Sequence, residues 1–240
     1  MKLSPKHLLL LMIVAMLFAA QSVFAQNPVS VARIKYDGGG DWYGNRTTFV
    51  NLFRFMRENN NVETTEREIV LSITDKDFFK YPIAYIAGHG NIKFSAPEAS
   101  RLREYLIKGG FLWADDDYGM DPYFRREMKK VFPESDWVAL PFSHPVFHMQ
   151  FNFSNGLPKI HKHDGGPPVA FGLFFEGRMV AFYSFNTDIS DGGSVMPKSA
   201  APGTGLFSES QRSSSGEKPR GSGSSCEKAG AKMTAENRKV

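Results

Sequence analysis

The sequence predicts an α/β protein, a three-layer sandwich with a mostly parallel sheet, helices on both faces and a late β-hairpin. Three observations carry this expectation. Short apolar runs of strand length alternate with segments whose apolar residues recur at helical spacing, from Val29 to Phe132. Gly-rich turns punctuate their ends. Two apolar, aromatic-rich runs, Phe171–Phe175 and Met179–Phe185, are joined by Glu176-Gly177-Arg178 alone, which makes them a hairpin.

Each element has its own signal. Val29–Tyr36 alternates apolar and polar residues and reads as the first strand. Gly38-Gly39-Gly40-Asp41-Trp42-Tyr43 breaks it, and Phe49, Leu52, Phe53 and Met56 then share one helix face. Glu68–Ile73 and Pro82–Ala87 are the second and third strands, the third ending in Gly88-His89-Gly90. Ser95 and Glu98 form a capping box for a helix through Lys108, closed by Gly109-Gly110. Phe111–Ala114 reads as a buried fourth strand, with Asp115-Asp116-Asp117-Tyr118-Gly119 as an acidic loop beyond it. Asp121 at a cap and Pro122 at a first helical position open a helix around Phe124–Phe132. Val138–Leu140 is a short strand.

The ends differ from the middle. Lys2, Lys6 and His7 precede the apolar run Leu8–Ala20, and Val23-Phe24-Ala25 supplies the small residues of a cleavage site. Residues 1–25 therefore read as a secretory signal. Its apolar core is short for a bilayer span, and no Cys follows it for lipidation. The expectation is a periplasmic or secreted protein with no stable membrane anchor after cleavage. Residues 26–191 form one α/β domain. From 192 to 240, Gly, Ser, Pro and Lys dominate, and such a segment is expected to be disordered.

Charge and cysteine content narrow the chemistry. The chain has 29 Lys+Arg and 25 Asp+Glu, yet residues 26–191 hold only 19 of the basic groups and 21 of the acidic ones. The basic excess belongs to the ends, so nothing supports nucleic-acid binding by the domain. The single cysteine, Cys226, lies in the tail, which leaves the domain no disulfide and no thiol nucleophile.

Candidate site residues lie at strand ends. In a parallel sheet the loops Gly38–Tyr43, Gly88–Gly90 and Asp115–Gly119 emerge at one edge, where α/β proteins bind ligands. Asp41, His89 and the triplet Asp115, Asp116 and Asp117 would then converge, with His161, His163 or Asp164 approaching from a later loop. Three adjacent carboxylates repel one another and call for solvent, donors or a cation; a solvated, helix-capping acidic turn is the alternative. Alternation along an extended chain sends Asp115 and Asp117 to one face and Asp116 to the other. That favours Asp116 as the ligand-facing residue of the turn, with Asp117 bracing it. The Gly-rich loop permits close backbone approach to a ligand, or is simply a tight turn. It lacks the spacing of a dinucleotide or P-loop motif. Trp42, Tyr43 and Tyr118 offer stacking surfaces for a sugar or another flat ligand.

Histidines gather late, at His144, His148, His161 and His163. With Asp164 and Asp116 they are candidate ligands for a divalent metal, zinc or similar. No compact metal motif is present, and Pro145 disturbs the helical spacing of His144 and His148, so each histidine alone also fits a structural hydrogen-bonding role.

Residues 29–191 resemble the bacterial family called domain of unknown function 4159. The resemblance rests on Ala32-Arg33-Ile34-Lys35-Tyr36, Gly38–Tyr43, Gly88-His89-Gly90, Gly109–Asp117, Leu157-Pro158-Lys159-Ile160-His161, and Tyr183 with Asn186-Thr187-Asp188. It implies a fold similar to class I glutamine amidotransferases, a flavodoxin-like sandwich. In that fold a nucleophilic Cys follows the strand matching Phe111–Ala114. Here Asp116 or a neighbour takes that turn, so thiolate-dependent glutamine hydrolysis is excluded. Family members continue past Asn-Thr-Asp with an acidic, Trp-containing segment and an apolar helix, whereas this chain becomes Ser/Gly/Pro-rich. A reading-frame shift near Asp191 and a genuine tail are the two explanations, and the DNA sequence distinguishes them.

Two functions fit these residues. One is a ligand-binding or assembly module that takes a carbohydrate or peptide in an acidic, His-containing pocket. The other is a periplasmic metal-assisted hydrolase, in which a divalent ion activates water.

Overall fold

A computed structural model of the protein describes residues 27–161 and 165–194. The expected signal peptide, His163, Asp164 and the tail from residue 195 lie outside the described residues.

The chain forms strands β1 (Val31–Ile34), β2 (Ile69–Leu71), β3 (Ile83–His89), β4 (Phe111–Tyr118), β5 (Val138–Ala139), β6 (Val169–Phe175) and β7 (Arg178–Phe185). Helices are α1 (Thr48–Asn60), α2 (Ala96–Ile107), α3 (Asp121–Val131) and α4 (Ile189–Ser194). The strands build one sheet in the order β2-β1-β3-β4-β7-β6-β5. β1, β2, β3, β4 and β7 are mutually parallel; β6 runs antiparallel to both β7 and β5. The mixed α/β architecture with a mostly parallel sheet is therefore the one the alternation of elements predicts.

Both faces of the inner strands are covered, which explains their nearly continuous apolar sequence. On one face Ala32, Ile34, Ala84, Ile86, Leu112 and Ala114 pack with Leu102 and Leu106 of α2 and Phe124 and Met128 of α3. On the other, Val31, Tyr85 and Ala87 pack with Phe49 and Phe53 of α1. α2 begins at the expected capping box: Glu98 N–H donates to Ser95 Oγ, and Ser95 N–H donates to Glu98 Oε2. The β6–β7 turn places Glu176 at φ 49° and Gly177 at φ 79°, the pair of positive angles that matches strand twist in a two-residue hairpin.

Three local expectations are corrected. The acidic triplet is not a loop: β4 continues through Asp115, Asp116 and Asp117 to Tyr118, because β3 and β7 hydrogen-bond it beyond Ala114. Asp121 is the first residue of α3, with Met120 in the cap position. The chain also does not lose its pattern at Asp191, since α4 runs through Ser194.

Candidate functional site

The carboxyl ends of β1, β3, β4 and β7 meet at one edge, and the loops leaving them build the candidate site. Arg33, buried in β1, organises the first loop. Its guanidinium pairs with Glu68 at 3.0 Å and donates to the carbonyls of Trp42, Gly44 and Asn45. That holds the Gly-rich loop folded back over the sheet edge.

Gly40 and Gly88 allow one loop to approach another closely. Gly40 N–H donates to Asn91 O, and a Cβ on Gly40 would lie 2.7 Å from His89 O. Gly88, at φ 136°, would place a Cβ 2.5 Å from Tyr36 Oη and 2.9 Å from Asp41 Oδ1. Only glycine fits there without displacing both neighbours. The contact it permits is the junction of Asp41 with His89. The backbone N–H of His89 donates to Asp41 Oδ1, and the ring Nδ1 lies 3.0 Å from Oδ2. Both side chains remain partly open to solvent. Tyr118 is the register partner of His89 on β4, at the same edge of the sheet. It is 48% exposed and Tyr43 is 51% exposed, whereas Trp42 packs partly against the core.

The triplet divides as alternation requires. Asp116 points to the α2/α3 face, where Met120 N–H donates to Oδ1 at 3.1 Å and Asn186 N–H to Oδ2 at 3.3 Å. Both of its oxygens serve the backbone that starts α3 and leaves β7. Asp115 points the other way. Ser184, its register partner on β7, donates to Oδ1, and Ser190 N–H of α4 donates to Oδ2 at 2.7 Å. Asp117 falls where the β3–β4 register slips, between the pairs Gly88–Asp116 and His89–Tyr118. Such a bulge re-aims one side chain. Its Oδ1 is buried with no hydrogen-bond partner among the described residues.

The sequence reading did not nominate Asp188, which completes this cluster. Asp188, at φ 56°, follows β7 and turns its carboxylate back toward β4. Its Oδ1 accepts from Asn45 Nδ2 at 3.1 Å, and His161 Nδ1 lies 3.1 Å from its Oδ2. Asp115, Asp117 and Asp188 each bring one oxygen within 4.8 Å of the others. His161, Asp188 and Asp191 form a second such group, with His161 Nε2 2.6 Å from Asp191 Oδ2. Two segments singled out by sequence are thereby joined: Ile160 and His161 N–H both donate to Thr187 O.

Burial and like charge govern the electrostatics. Burial first, then the charges of Asp115 and Asp188, push Asp117 up to about 10. Burial also pushes Asp115 up to about 6, against the opposing hydrogen bonds from Ser184 and Ser190. Tyr36 is raised as well, by burial and then by Asp41 and Asp117, so the loop after β1 and the end of β4 share one field.

His144 and His148 do not reach this edge. His144 Nδ1 accepts from Val146 N–H in a 3₁₀ turn at Pro145–Phe147, and His148 bridges Asn152 Oδ1 and Phe142 O within the same loop. The position of Asp188 had a signal: it closes the Asn186-Thr187-Asp188 motif. Its partnership with β4 did not, because nothing local says that β7 inserts beside that strand.

Comparison with known families matches residues 30–214 to Domain of unknown function (DUF4159), and the chain belongs to that family. No curated protein matches the chain. No helix among the described residues is long and apolar enough to cross a membrane.

Proposed function

We propose that this family member is an exported ligand-binding module whose pocket opens at the carboxyl edge of a flavodoxin-like sheet. The observation that carries the reading is the Asp41–His89 pair. The order β2-β1-β3-β4 reverses direction between β1 and β3, and that reversal is where open α/β sheets leave a crevice for ligands. Asp41 comes from the loop after β1 and His89 from the end of β3, so the pair joins the two strands on either side of that reversal. Its polar groups and the exposed rings of Tyr43 and Tyr118 suit a carbohydrate, or a peptide with a free ammonium group.

A metal-assisted hydrolase is the second reading, favoured by the two clusters that share Asp188, one of three carboxylates and one of His161 with two carboxylates. Binding of glycan and peptide libraries to the full chain tests the first. Retention of a glycan or peptide by the protein, lost in Asp41→Asn and His89→Ala, supports it; identical binding by both variants removes it. Chelator-sensitive turnover of ester, peptide or glycoside substrates would transfer the assignment to the hydrolase.

A further inference from the structure

We infer that Asp115, Asp117 and Asp188 form a buried site for a hard divalent cation of the calcium, magnesium or manganese class. The three come from separate places, two turns of the pleat on β4 and the loop after β7, yet their oxygens lie within 4.8 Å of one another. Twice a calcium–oxygen distance spans about this separation, so one ion contacts all three with little movement. The donors are oxygens alone, which selects hard cations over zinc or copper.

Acidic residues often cluster without a ligand; three further observations distinguish this cluster. Asp115, Asp117 and Asp188 are 0%, 5% and 2% exposed, so water does not dissipate their repulsion. Asp117 Oδ1 is moreover an orphan: a buried carboxylate oxygen with no donor among the described residues. The Tyr85 hydroxyl, fully buried and near the same carboxylates, has no well-formed hydrogen bond either. An unpaired buried carboxylate oxygen is costly, and a coordinated ion removes that cost.

The surrounding bonds fit a coordination shell already held in place. Ser184 and Ser190 fix Asp115, while Asn45 and His161 fix Asp188. These are the outer hydrogen bonds that orient ligating carboxylates. His161 has a carboxylate at each ring nitrogen, Asp188 at Nδ1 and Asp191 at Nε2, which places it as a brace for Asp188 and not as a ligand. The inference goes beyond the ligand-binding reading and does not depend on it.

Terbium(III), a luminescent calcium mimic, provides the test on the full chain after chelator treatment. Trp113 Nε1 donates to Ser184 Oγ, which donates to Asp115, and the Tyr85 ring lies 5.0 Å from that of Trp113, so these rings should sensitise its emission. The expected result is sensitised terbium emission that calcium displaces. A melting temperature raised by about 5–10 °C is also expected when calcium exceeds its dissociation constant roughly a hundredfold. Asp117→Asn, nearly isosteric, should weaken both responses at least about tenfold while melting no lower than wild type in chelator. Asp191→Asn should retain them. Absence of any cation response in the wild type overturns the site, as does loss in Asp191→Asn with retention in Asp117→Asn. Cation binding with no glycan or peptide binding would leave this site standing and remove only the ligand-binding reading.

Discussion

Ser184 and Asp115 are register partners across the parallel β4–β7 pair, and the serine hydroxyl donates to the buried carboxylate. The same Oγ accepts from Trp113 Nε1 at 3.1 Å. One hydroxyl thus ties the sheet interior to the acidic edge. Ser184→Ala leaves Trp113 Nε1 without its acceptor and Asp115 Oδ1 with the Ile189 N–H alone, so it should cost about 1–3 kcal/mol in urea unfolding, the penalty for leaving a buried polar atom unpaired. A change below about 0.5 kcal/mol would show that the two partners find other bonds.

Stability should fall with rising pH in chelator. Asp117, pushed up to about 10, and Asp115, up to about 6, ionise less readily in the folded protein than in the unfolded chain. Their contribution to stability is complete below the unfolded value of about 4 and is lost as pH climbs through each folded value. Asp115 acts between about pH 4 and 6, and Asp117 up to about pH 10. The melting temperature of Asp117→Asn should therefore exceed that of the wild type increasingly from pH 5 to 9. Parallel curves for the two proteins would contradict this.

Gly88→Ala should destabilise the fold by about 2 kcal/mol or more. The backbone there holds a positive φ of 136°, and the new methyl would collide with Tyr36 and Asp41. The signature that separates this from general damage is local. The His89 ring should lose its Asp41 partner, seen as a shift of its ring resonances by NMR, while the α2–α3 face keeps its amide protection.

Export predicts a mature N-terminus at Gln26. Mass spectrometry of protein from a secreting host should find it, with Gln26 intact or cyclised. Full-length protein held in the inner membrane would contradict the reading of Lys2–Ala25 as a cleaved signal.

Much of the fold was legible because its causes are local. The capping box at Ser95 and Glu98, the turn at Glu176-Gly177 and the apolar runs of β3 and β4 each act within a few residues. The parallel sheet followed from their alternation. Local signals also gave the split of the triplet, since pleat alternation alone sends Asp115 and Asp117 away from Asp116. They did not say which face mattered. The sequence reading favoured Asp116, but the backbone N–H groups of Met120 and Asn186 occupy it, while Asp115 and Asp117 meet Asp188.

The sequence by itself therefore determined the elements, their order and the residues at strand ends, because propensity, capping and turn chemistry are short-range. The tertiary structure alone decided that β7 lies parallel to β4. That pairing carries Asp188 across more than seventy residues of chain to the buried carboxylates of β4. Such a contact depends on sheet topology and burial, which no local pattern encodes.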